Sequence, residues 1–207
     1  MELTKPIIRK SGGTINATKP ILTAESFDVE ETVELKKVTE PKGIQKLLQR
    51  QVSHEFGNER LYLSMALWCA ENGYNETAKF FNTHALDEER KHGMDFVNHM
   101  LKRKMKVLTP VDEIYKREYT DLKEVLEDAL EREETTSKMI SEILQESIKT
   151  GDFAFTIASD YIKEQLEEEQ LFNSLLNLYT NCNGSRIDFE MEVGTLKKSG
   201  KYKIGNL

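Results

Sequence analysis

With 207 residues, of which 38% are hydrophobic, the chain is long enough for one domain with a sizeable core plus tails. Its 36 acidic residues outnumber 29 basic ones, giving a formal net charge of -7, and this balance argues against a nucleic-acid binder, which presents a basic surface. No stretch approaches the roughly 18 apolar residues of a membrane span, and the two cysteines, Cys69 and Cys182, form neither a disulfide framework nor a Cys-x-x-Cys site.

Residues 1–40 read as a separate, extended N-terminal arm. Ser11-Gly12-Gly13 and Lys19-Pro20 break any helix, and 21–38 mixes β-branched residues with acids without a period. The arm lacks an apolar signal core. A cytoplasmic location is expected, with an organelle address or a scaffold-binding tail in the weakly basic first 20 residues as the alternatives. A first helix is predicted over 41–71, with Leu48, Val52, Glu55, Tyr62, Met65 and Cys69 on one stripe. Cys69 is expected as a buried thiol, which suits a reducing compartment. Asn72-Gly73 stops this helix. A second follows over 75–104, its stripe Ala78, Phe81, Ala85, Glu89, His92, Phe96 and Met100.

A connection of about fifteen residues comes next, long for antiparallel neighbours and able to cross the full length of a bundle. The third helix starts near Asp121, with Glu124 three residues on as a capping partner. Its stripe is Leu122, Val125 or Leu126, Ala129 or Leu130, Glu133, Ser137, Ile140 and Leu144. After Thr150-Gly151-Asp152 a fourth helix covers 153–179, with Ile157, Tyr161, Gln165, Glu168, Phe172 and Leu175 inward. Residues 183–207 are expected to hold a short helix or an irregular segment and a basic tail. Two hairpins joined by one long link make an all-α, four-helix bundle with one long crossover over 41–182.

The informative feature is what interrupts these stripes. Glu89-Arg90-Lys91-His92 is a Glu-x-x-His step that sets carboxylate and imidazole on one helix face. Glu55, Glu133 and Glu168 fall near mid-height of the other three helices. Buried carboxylates are costly unless paired or metal-bound, and their number here implies a two-metal site. Carboxylates with one imidazole suit iron or manganese better than a closed zinc site. Glu59 and Glu134 compete for the inward positions, because an apolar stripe is about 100° wide.

With Glu55, Tyr62-Leu-Ser-Met65, Asp87-Glu88-Glu89-Arg-Lys-His92, Glu133 and Glu164-Gln165-Leu-Glu167-Glu168-Glu169-Gln-Leu-Phe172, residues 44–182 resemble the ferritin family in its non-haem, prokaryotic form. The resemblance implies that Glu55, Glu89 and His92 hold one iron and that Glu89 bridges to a second, completed by Glu133 and Glu168. It implies that Gln165 hydrogen-bonds beside the pair and that Tyr62 is the neighbouring tyrosine that donates an electron or tunes the oxidised state. Glu88, Glu164 and Glu167, with Glu168, match a third iron site. A solvated acidic patch is the plainer reading of those residues.

The implied activity is ferroxidase: Fe2+ is oxidised by dioxygen or hydrogen peroxide and ferric mineral is stored in a homo-oligomeric shell of 24 subunits, with no membrane or nucleic-acid partner. The alternative is a non-storing diiron oxidase or a peroxide-detoxifying relative. No haem is expected, since Gln165-Leu-Glu167-Glu168 replaces a second Glu-x-x-His and Arg90 stands where a haem-ligating Met would follow the bridging Glu. The segment Ser185–Val193 matches the family's fifth helix poorly.

Overall fold

In a computed structural model the described residues are 42–108 and 118–198; the arm over 1–40 and the tail over 199–207 lie outside them. Among the described residues the chain is all helix. Helix α1 is Ile44–Glu71, α2 is Asn75–Thr83, a single π-helical turn covers His84–Glu89, α3 is Arg90–Lys102, α4 is Leu122–Thr150, α5 is Ala154–Asn181 and α6 is Arg186–Lys198. Thr83 and Arg90 keep helical torsions on either side of the π turn, so α2, the turn and α3 form one rod. That rod, α1, α4 and α5 are the four predicted helices.

Local chemistry explains the ends. Asp121 accepts a hydrogen bond from the Glu124 backbone N–H, while the Glu124 carboxylate accepts one from the Thr120 N–H, so two orphan donors at the start of α4 are satisfied. Gly151 ends α4 with φ 66°, a left-handed torsion that glycine adopts without steric cost. Gly93 is needed for a different reason. A Cβ there would lie 3.1 Å from the Phe56 ring, so its absence lets α3 approach α1.

The described ends of the long link lie toward opposite ends of α1; residues 109–117 between them are outside the described residues. Leu108 exchanges hydrogen bonds with the Gln49 side chain near the start of α1. Tyr119 meets Trp68 edge-on near the end of α1, with ring centroids 5.8 Å apart. The nineteen helical steps from Gln49 to Trp68 span about 28 Å. The eleven steps from Leu108 to Tyr119 reach at most about 36 Å when extended, enough to return along the whole rod.

The interior is layered. One apolar cluster holds Leu61, Met65, Cys69, Phe81, Leu126, Phe172 and Phe189; another holds Leu48, Val52, Phe96, Met100, Ile140 and Ala158. Between them, at mid-height, lies a buried polar layer containing Glu55, Glu89, His92, Glu133 and Gln165. Cys69 is a buried free thiol, as expected, and Cys182 is also free. The C-terminal segment forms a thirteen-residue helix and docks on the bundle. There the Glu190 carboxylate accepts from the Glu76 and Thr77 backbone N–H groups, so an acidic side chain of α6 closes the N-terminus of α2.

Candidate metal centre

Four rods deliver the polar layer. Glu55 comes from α1, Glu89 from the end of the π turn, His92 from the first turn of α3, Glu133 from α4, and Gln165 and Glu168 from α5. Ligand atoms of Glu55, Glu89 and His92 lie within 4.8 Å of one another, and so do those of His84, Glu89 and Glu133. Glu89 belongs to both groups. It is 1% exposed, and neither of its oxygens accepts a hydrogen bond; Glu168 Oε2 and His84 Nε2 are also buried without a hydrogen bond. Orphaned buried carboxylate oxygens are costly. A set of oxygens and imidazoles disposed around one shared carboxylate fits a pair of divalent ions of the iron or manganese type.

A surrounding shell fixes these side chains. Gln51 Nε2 donates to Glu55 Oε1 at 2.6 Å, and Asn58 Nδ2 reaches Glu55 Oε2 at 3.4 Å. Arg132 in turn donates to the Asn58 side-chain oxygen. On the other side the Tyr62 hydroxyl donates to Glu133 Oε1, and Gln165 Nε2 donates to Glu133 Oε2 at 2.9 Å. His92 presents Nε2 to Glu164 Oε1 at 3.2 Å and Nδ1 toward Glu89 Oε2 at 3.9 Å. A carboxylate on the outer nitrogen of a ligating imidazole orients the ring. Tyr62 stacks on Phe172 at 5.7 Å and on Phe81 at 5.9 Å, which holds its hydroxyl in place.

The electrostatics are those of crowded carboxylates. Burial and the adjoining Glu89 push Glu55 well above the usual carboxylate range. Burial works in the same direction on Glu89, but His84 and His92 override it and hold that carboxyl down, at about 2. Burial, followed by the charges of Glu89 and Glu168, raises Glu133 to about 7. Burial opposes the charged forms of the imidazoles. Glu168, Glu89 and Glu133 nevertheless lift His84 to about 9, and Glu164, Glu89 and Glu55 lift His92 to about 10. These protons balance the carboxylates, and ligation of divalent ions displaces them.

Two competing acids resolve clearly. Glu59 is buried, 3% exposed, but it pairs with Arg60 and Arg90 at 3.2 Å each and takes no part in either group. Glu134 is exposed. A third trio, Glu88, His92 and Glu164, lies beside the centre; Glu167 is exposed and is not part of it. Sequence reasoning missed His84. The signal was present as a histidine five residues before Glu89, but an ideal helix would have turned it away.

Four helical rods closing around paired carboxylates and imidazoles define the class of ferritin-like metal proteins. Residues 45–181 match the ferritin family, described as a ferritin-like domain, and the chain belongs to that family. It is 35% identical over 136 residues to a probable bacterial non-heme ferritin-like protein of Haemophilus influenzae, covering 65% of this chain and 82% of that protein. It is also 28% identical over 137 residues to a bacterial non-heme ferritin of Campylobacter jejuni, covering 66% and 81%. Among solved structures, an iron-soaked variant of PmFTN superposes with a TM-score of 0.66 at 25% identity, covering 72% of this chain and 97% of the other.

Proposed function

We propose that the chain oxidises Fe2+ at the paired carboxylate centre and stores the ferric product as mineral inside a homo-oligomeric shell. The observation that carries this reading is Glu89, a buried carboxylate with both oxygens lacking hydrogen bonds, shared by two ligand groups. Glu55, Glu89 and His92 bind one substrate Fe2+. Glu89, Glu133 and Glu168 bind the other. Each Fe2+ gives up one electron, and dioxygen or hydrogen peroxide takes the pair; with dioxygen, two protons are consumed and hydrogen peroxide is formed. The bundle contributes geometry and shelter from water. Gln165 and Tyr62 hold the Glu133 carboxylate in place through hydrogen bonds to its two oxygens.

A third iron site belongs to the same proposal; Glu88, His92 and Glu164 support it, while Glu167, exposed and outside that trio, and Glu168 enter it only through the family resemblance. Shell assembly from 24 copies draws support from the family. It also fits the groove of Leu63, Ala66, Leu67, Ala70 and Ala78 between α1 and α2, where Leu67 is 66% exposed. No helix among the described residues is long and apolar enough to cross a membrane, and a cytoplasmic location is part of the reading.

Aerobic loading with excess Fe2+, followed by size-exclusion chromatography with iron detection, tests it. An iron-rich particle many times the mass of one chain is expected. A small species carrying two irons per chain and no mineral would replace storage with oxidation alone, and absence of oxidation would remove the proposal.

A further inference from the structure

The rod formed by α2 and α3 is interrupted by its π turn at the metal centre. In an unbroken α-helix, residues five apart point to different sides. The i→i+5 turn His84–Glu89 instead brings them onto one side, with His84 Nε2 3.4 Å from Glu89 Oε1. Single π turns are uncommon and recur at functional sites.

The surroundings of His84 suit a ligand better than a packing residue. Its ring is wedged among Tyr62, Phe172 and Phe80, with centroids at 4.8, 5.4 and 5.9 Å. The side chain is 2% exposed, yet Nε2 makes no hydrogen bond; the approach to Glu89 is close but not aligned for one. Nε2 also lies 3.7 Å from Glu168 Oε2. Donors about 2.1 Å from one ion, at angles between square and tetrahedral, stand about 3.0–3.4 Å apart, so the observed spacings need only a small contraction. Glu133 offers an oxygen within 4.8 Å of the same group.

We infer that His84 is a nitrogen ligand of the second ion of the pair and that the π turn exists to deliver it. The inference rests on the two-ion reading above. With it, each ion is held by one imidazole and by carboxylates: His92 with Glu55 and Glu89 for the first, His84 with Glu89, Glu133 and Glu168 for the second. The imidazole takes a coordination position otherwise left to water, so the second ion is retained more firmly.

The test is an anaerobic Co2+ titration of the full chain, followed by equilibrium dialysis and visible absorption. His84→Phe keeps an aromatic ring among Tyr62, Phe80 and Phe172 and removes the nitrogen. His84→Gln supplies an oxygen donor and serves if the first variant does not fold. The wild-type chain should bind two ions. Both variants should hold the first ion unchanged and the second at least about tenfold more weakly, with altered absorption bands. If the wild-type chain binds two ions and both variants match it within roughly twofold, with unchanged bands, His84 is not a ligand and the two-ion centre stands; lower thermal stability alone would mark it as a packing residue. If the wild-type chain binds no pair, both readings fall.

Discussion

Glu89→Ala should lower the initial rate of Fe2+ oxidation by at least about 100-fold, beyond the range seen when only an outer partner of a metal ligand is lost. Glu89 is the single side chain common to both ligand groups, so its removal deprives two ions at once. Loss of Glu55 touches one group only. The helices should survive. The Glu89 carboxylate accepts no hydrogen bond, and the apolar clusters above and below it are untouched. Stopped-flow absorbance of ferric product, with circular dichroism as the control for folding, reads both effects. A well-folded variant that oxidises iron at the wild-type rate would remove Glu89 from the centre.

The second large effect is on stability. In the ion-free protein the mid-height layer packs Glu55, Glu89, Glu133 and Glu168 close together, and burial and mutual repulsion raise the affinities of Glu55, Glu133 and Glu168 for protons. Divalent ions relieve that repulsion only in the folded chain. A ligand present at a hundredfold excess over its Kd stabilises the fold by about 2.7 kcal/mol. For a chain of this size, two such ions raise Tm by roughly 10 °C or more. The measurement is calorimetry with Zn2+ or Co2+ against a chelator, and the shift should vanish in Glu89→Ala. An equal shift in both proteins would place the stabilising ions on the acidic surface instead.

The sequence carried the architecture because helical periodicity is a strong signal over nearly thirty residues. Each of the four rods was legible from its stripe, and the crossover followed from a link too long for a tight turn. The carboxylates on four rods were legible because a charged residue at an apolar position is conspicuous. Other details depended on contacts between rods. On α4, Thr136 and Ile143 are buried where the stripe favoured Ser137 and Leu144, a rotation of about one residue within a broad inward face. On α5, Ala158 is buried in place of Ile157. The position of Glu59 was ambiguous because only the fold supplies Arg90 as its partner. His84 was hidden for a sharper reason: the expected period is 3.6, and the π turn breaks it at this residue. The docking of α6 turns on one carboxylate, Glu190, meeting a helix start more than a hundred residues earlier, which no local pattern encodes.

The most direct measurement is anomalous diffraction at the iron edge from crystals soaked in Fe2+ without oxygen. Two peaks about 3.5–4 Å apart, one on each side of the Glu89 carboxylate, are the predicted result. Iron found only on the outer acidic surface, with the Glu89 oxygens unligated, would contradict the account.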